Sequence, residues 1–134
     1  MKASGLGEAL GSASVMLRVR DINRSVEWFH KTLGLKPFVS GVDGKHPYAA
    51  FSFRGTGVAL WQLQPDDPDP ETNLSSTYLV FSVASGIDEI RELLRSLDVS
   101  AGELRTSEVA RFFWFYDPDG HRFEVSQPVS APAV

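Results

Sequence analysis

Residues 14–34 read SVMLRVRDINRSVEWFHKTLG, and within these twenty-odd positions the side-chain period changes once. Over residues 14–20 apolar Val15, Leu17 and Val19 alternate with Ser14, Met16, Arg18 and Arg20, the period-two pattern of a strand with one buried face. Asp21 then suits a helix N-cap. Ile22, Val26, Phe29 and Leu33 recur at helical spacing until Gly34, whose freedom to adopt a left-handed conformation suits a C-cap. The order is strand, helix, stop. Working outward, a segment at 35–40, a loop through Gly41 and Gly44, a strand near 48–53, the turn Gly55-Thr56-Gly57 and a strand at 58–63 complete a β-α-β-β-β unit.

Residues 65–76 hold Pro65, Pro68 and Pro70 among Asp66, Asp67, Asp69 and Glu71, so neither a helix nor a central strand can run through them, and we read them as a linker. Beyond it the order begins again. Residues 77–83 are β-branched and aromatic, Ser85 with Asp88 suggests a capping box, and Ile87, Ile90, Leu94 and Leu97 form a helical stripe. Residues 111–116 form an aromatic strand, Asp117-Pro118-Asp119-Gly120 a turn, and residues 121–127 a closing strand. Gly57 falls on Gly120 and Gln64-Pro65 on Gln127-Pro128, an offset of 63 residues that lays Trp61 over Glu124. We read this as a duplication, with module one at 14–64, module two at 77–128, a flexible lead-in at 1–13 and a tail at 129–134. A ferredoxin-like split β-α-β repeat is the second choice, since it has two strands per helix where three fit here.

Composition narrows the function. A chain of 134 residues suits one domain with one core, and no apolar run approaches the length of a membrane span. The N-terminal stretch lacks the basic start and continuous apolar segment of a secretory signal, which leaves the cytoplasm as the default location. With no cysteine there are no disulfides, thiolate metal sites or cysteine nucleophiles. A net charge of −4 with scattered basic residues argues against nucleic acid as a partner. A small molecule, or a second copy of the chain, fits better.

The segment from Leu17 to Phe29, followed by Leu33-Gly34-Leu35, and the segment from Asp117 to Val125 resemble the vicinal oxygen chelate superfamily, which includes glyoxalases, bleomycin resistance proteins and extradiol dioxygenases. The resemblance implies an α+β fold of paired βαβββ modules whose eight strands form an incomplete barrel around a ligand cavity, and a homodimer as the usual unit. It also implies metal-ligand positions on the first and last strands of each module, usually filled by His, Gln or Glu. Here those positions fall on Ser14, Tyr78, Trp61 (or Gln62 if the register slips) and Glu124, of which only Glu124 is a good ligand. Tightly held zinc, nickel or iron needs three or more nitrogen or carboxylate ligands. His30 near a helix end, His46 in a loop and His121 at a turn do not reach the cavity positions. No tightly bound metal, and no other cofactor, is expected.

Side chains two apart on a strand share a face, so Met16 and Arg18 join Ser14 in the predicted cup. Arg18 would grip an anionic group, as the matching arginine of glyoxalase I implies, or pair internally with a carboxylate such as Glu124. Glu124, in an apolar cup, is a candidate general acid or base, with a satisfied vestigial ligand as the alternative. Trp61, Tyr78, Phe112 and Trp114, with Tyr116, are the expected aromatic wall; ordinary core packing is the alternative for the aromatic strand. Such a cup resembles the drug-sequestering members, which hold aromatic, cationic compounds by stacking and cation–π attraction. The preferred expectation is binding of a hydrophobic or aromatic molecule, with Trp61, Tyr78, Trp114, Arg18 and Glu124 converging on it. The alternatives are a lyase, isomerase or dioxygenase-like enzyme using Glu124 as base or as ligand of an atypical metal site, and a regulatory module.

Overall fold

The structure, a computed structural model, describes residues 6–68 and 77–129. The expected lead-in, linker and tail fall in part on residues 1–5, 69–76 and 130–134, outside the described residues. The chain runs β1 (Ser14–Val19), α1 (Ile22–Leu33), β2 (Val39–Asp43), β3 (His46–Phe53), β4 (Thr56–Gln62), β5 (Leu79–Ser82), α2 (Ile87–Ser96), β6 (Ser100–Ala101), β7 (Arg105–Thr106), β8 (Ala110–Tyr116) and β9 (Arg122–Pro128). These strands make two open sheets, ordered β1-β4-β3-β2 and β5-β9-β8-β6, with β7 also on β8. In each, the first strand of a module lies parallel to its last, β1 on β4 and β5 on β9. The α+β class and the duplicated module stand, and the second module's short outer strand is split into β6 and β7.

Local chemistry accounts for the boundaries. The Asp21 carboxylate accepts from the Asn23 and Arg24 amides at 3.1 and 3.2 Å, so α1 starts where its orphan N–H groups find an acceptor. Gly34, at φ 69°, ends it in the left-handed region. The expected Ser85–Asp88 capping box does not form. Gly86, at φ 83° and with no side chain to cap, precedes α2, and Gln127 Oε1 instead accepts the Ile87 amide at 3.1 Å. Gln62 Oε1 does the same for Ile22 at 2.8 Å, so both helices begin on a glutamine from their own module's closing strand. Those glutamines are 65 residues apart, as are Ile22 and Ile87. The offset of 63 that laid Trp61 over Glu124 is therefore two residues short along the closing strands, and Ala59 is the counterpart of Glu124. Two further boundaries move: β2 takes in Gly41 rather than ending before it, and His46 opens β3 instead of lying in a loop.

One core spans both modules. Phe29 of α1 stacks on Phe51 at 4.9 Å, while Trp28, beside it, stacks on Phe123 and Phe115 of the other module at 5.7 and 6.2 Å. Phe113, Phe115, Phe123 and Val125 complete the second sheet's inner face. Each fully buried phenylalanine is worth roughly 1.5–3 kcal/mol relative to exposure. That burial holds the inner faces together and turns the opposite face of each sheet outward. A polar clasp adds to it: the Asp119 carboxylate, with no exposed side-chain surface, accepts from the Arg20 amide at 3.1 Å and its guanidinium at 3.2 Å, with Arg24 at 3.5 Å.

Candidate functional site

Antiparallel pairing sets Trp114 directly opposite Glu124 across β8 and β9. Because Phe113, Phe115, Phe123 and Val125 face the core, strand alternation sends Phe112, Trp114, Tyr116, Arg122, Glu124 and Ser126 to the outward face of the second sheet. There the Trp114 indole Nε1–H donates to Glu124 Oε1 at 2.9 Å. The Arg122 guanidinium lies 4.4 Å from the Trp114 ring centre and 5.6 Å from that of Tyr78, and Arg105, reaching from β7, lies 5.2 Å from Trp114. Phe112 flanks Trp114 at 6.0 Å. The second carboxylate oxygen, Glu124 Oε2, accepts no hydrogen bond among the described residues.

On the first sheet, register sets Arg18 opposite Trp61 and Met16 opposite Ala59, with Tyr48 on the other side of Trp61. Met16, Val42, Asp43, Tyr48, Ala59, Leu60 and Trp61 line an open groove of about 380 Å³. The His46 ring stacks on Trp61 at 4.8 Å, its Nδ1 2.8 Å from the Gln62 carbonyl oxygen. Tyr48 lies across Gly41 so closely that a Cβ there would come within 2.9 Å of its hydroxyl oxygen. Arg18 is exposed, and it makes no ion pair among the described residues; the expected pairing with Glu124 is not formed.

The sequence-predicted residues therefore assemble as two groups. Tyr78, Phe112, Trp114 and Glu124 lie on the second sheet, and Met16, Arg18 and Trp61 on the first. No hydrogen bond, ion pair or ring contact among the described residues joins the two groups, so the expected convergence of all five central residues does not occur through contacts within one chain. The sequence reading missed Tyr48 and His46, although period-two alternation back from Ala50 would have found both. It also missed Arg105, whose two-residue strand carries no periodic signal.

The residues present do not fit a tightly held metal. Glu124 is the single carboxylate on the outward face of the second sheet, one oxygen already bonded to Trp114; the other expected ligand positions carry Ser14, Tyr78 and Trp61, and Asp43 lies at the first-sheet groove. Among the described residues one cluster brings three carboxylate or imidazole groups together, Asp117, Asp119 and His121. Its donors are engaged: Asp117 Oδ2 meets His121 Nδ1 at 2.6 Å, Asp117 Oδ1 accepts the Asp119 and His121 amides at 3.0 and 2.8 Å, and Asp119 faces two guanidiniums. Arg20 and Arg24 supply the positive charge beside Asp119.

Residues 11–125 match the sequence pattern of the Glyoxalase/Bleomycin resistance protein/Dioxygenase superfamily. The chain is 27% identical over 113 residues to a protein named metallothiol transferase FosB from Lysinibacillus sphaericus (strain C3-41), covering 82% of this chain and 77% of that protein. A second FosB, from Shouchella clausii (strain KSM-K16), is 32% identical over 111 residues, 80% of this chain and 73% of that protein. Among solved structures, a variant of the fosfomycin resistance protein FosX from Listeria monocytogenes, in complex with Mn(II) and 1S,2S-dihydroxypropylphosphonic acid, superposes with a TM-score of 0.72 at 20% identity. The match covers 87% of this chain and 91% of that one, and at this identity it shows the fold alone.

Proposed function

Since the chain belongs to the Glyoxalase/Bleomycin resistance protein/Dioxygenase superfamily, we propose that it binds a small hydrophobic or aromatic molecule on its outward sheet faces without a tightly held metal. Tyr78, Phe112, Trp114 and Glu124 on one sheet and Met16, Arg18 and Trp61 on the other are the proposed contacts. The observation that carries this reading is the Trp114–Glu124 hydrogen bond at 2.9 Å. It ties the one good ligand residue to an indole, beside a guanidinium and tyrosine, where a metal would need further nitrogen or carboxylate donors. Phe112 and Trp61 offer apolar ring surface, and each Å² removed from water is worth roughly 25 cal/mol before association costs. We further propose that the working unit is a cytoplasmic homodimer.

The free Glu124 Oε2 and the two relatives named metallothiol transferase FosB favour a second reading in which Glu124 serves as general base or as ligand of an atypical metal site. Elemental analysis of protein purified without chelator separates the two. The binding reading expects well under one equivalent of manganese, zinc, nickel or iron per chain. A full equivalent that disappears in Glu124→Gln would overturn it in favour of the enzyme.

A further inference from the structure

The outward face of the second sheet is aromatic, and an aromatic wall by itself invites a cation. Its π-faces are already taken. Arg122 sits over Trp114 and Tyr78 at 4.4 and 5.6 Å, and Arg105 over Trp114 at 5.2 Å, all within the roughly 6 Å over which cation–π attraction acts. A cationic ligand would have to displace these guanidiniums and meet their repulsion. Neither guanidinium has a carboxylate partner among the described residues, whereas Arg20, Arg24, Arg91, Arg95 and Arg111 each ion-pair with one. Glu124 is the carboxylate on this face, and it takes the indole N–H rather than an arginine.

Stacking uses the flat face of a guanidinium and leaves its N–H donors, which radiate in the plane, free to bond at the edge. The half-buried Arg122 lies within reach of two rings and its guanidinium donates no hydrogen bond among the described residues, and an exposed Arg105 adds a second positive charge from the far side of β8. The local balance is two positive groups against one negative, although the chain as a whole is at −4. At contact the local charge governs, because salt screens the rest beyond about 8 Å at physiological ionic strength.

We infer that this face selects an anion: a small ring-bearing molecule whose carboxylate or phosphonate group is gripped by Arg122, with Arg105 as auxiliary charge, while the ring packs against Phe112 beside Trp114. The inference rests on the outward face being the binding site, as proposed above, and assigns its ligand a charge opposite to the one the aromatic sequence suggests.

Benzoate, phenylphosphonate and phenyltrimethylammonium, titrated separately by calorimetry and tryptophan quenching into the full chain, test it. The expected result is binding of at least one anion in preference to the ammonium, weakened by added NaCl. Arg122→Gln should lower anion affinity at least tenfold, Arg105→Gln less, and Arg122→Lys should recover part of the loss by keeping the charge. Thermal melts confirm that the variants are folded. Anion affinity unchanged in both glutamine variants, or tighter binding of the ammonium than of either anion, overturns the charge assignment. If the ammonium wins and Trp114→Phe weakens it, the face remains the binding site and the anion inference alone falls. If no probe binds, or none responds to Trp114→Phe, both fall together.

Discussion

Removing the Asp119 carboxylate should loosen the joint between the two modules, and the structure sets how much. The side chain is fully buried, and it accepts from the Arg20 backbone N–H at 3.1 Å and from the Arg20 guanidinium at 3.2 Å, with Arg24 at 3.5 Å. In Asp119→Ala the Arg20 amide loses its acceptor, which costs about 1–3 kcal/mol. The two guanidiniums are 44% and 48% exposed, so water screens them and each pair adds at most about 1 kcal/mol. The expected loss is about 3 kcal/mol, or roughly 10–15 °C in melting temperature for a domain of this size. Asp119→Asn keeps an oxygen for the Arg20 amide and gives up the charge, so it should cost about 1 kcal/mol, in line with the weak screened pairs. Urea unfolding followed by circular dichroism measures both. A chelator adds a second arm: resident arginines need no metal, so EDTA should leave the wild-type melt unchanged. An alanine variant within roughly 0.5 kcal/mol of wild type, the range of an ordinary surface change, would refute the clasp. A wild-type melt that EDTA lowers to the variant's would refute it too, and would make the cluster a metal site.

Gln62→Ala and Gln127→Ala should each cost about 1 kcal/mol in urea unfolding by leaving a first-turn amide without its acceptor, and the two losses should add because the sites lie in different modules; strong non-additivity would count against two independent caps. Gly41→Ala places a methyl 2.9 Å from the Tyr48 hydroxyl oxygen, so the ring must leave the first-sheet groove. The near-ultraviolet circular dichroism should change while stability moves by no more than roughly 0.5 kcal/mol, and an unaltered spectrum would contradict that placement. Sedimentation at tens of micromolar should give a dimer, with an interface of at least about 1,000 Å² if it is specific; a monomer alone would remove the proposed assembly.

The elements were legible in the sequence because they follow from short-range rules. Val15, Leu17 and Val19 alternate within one strand, Ile22 to Leu33 recur within three turns, and Asp21 and Gly34 cap a helix they directly adjoin. The aromatic face of β8 was legible for the same reason, since alternation alone separates Phe112 and Trp114 from Phe113 and Phe115. Glu124 and its neighbours came from the motif at the closing hairpin. The sequence did not reveal which side chains would meet. Gln62 and Gln127 cap helices 40 residues away, Asp119 reaches Arg20 across 99, and Arg105 arrives over Trp114 from a strand of two residues. Each contact depends on strand register and on how one module docks against the other, and a register error of one residue sends a side chain to the opposite face. The separation of Trp61 from Glu124 has the same origin. Local pattern can place both on outward faces, but which sheet each face belongs to is decided by the shared aromatic core around Trp28 and Phe29, whose burial draws the inner faces of the two modules together and leaves the opposite faces turned away from it.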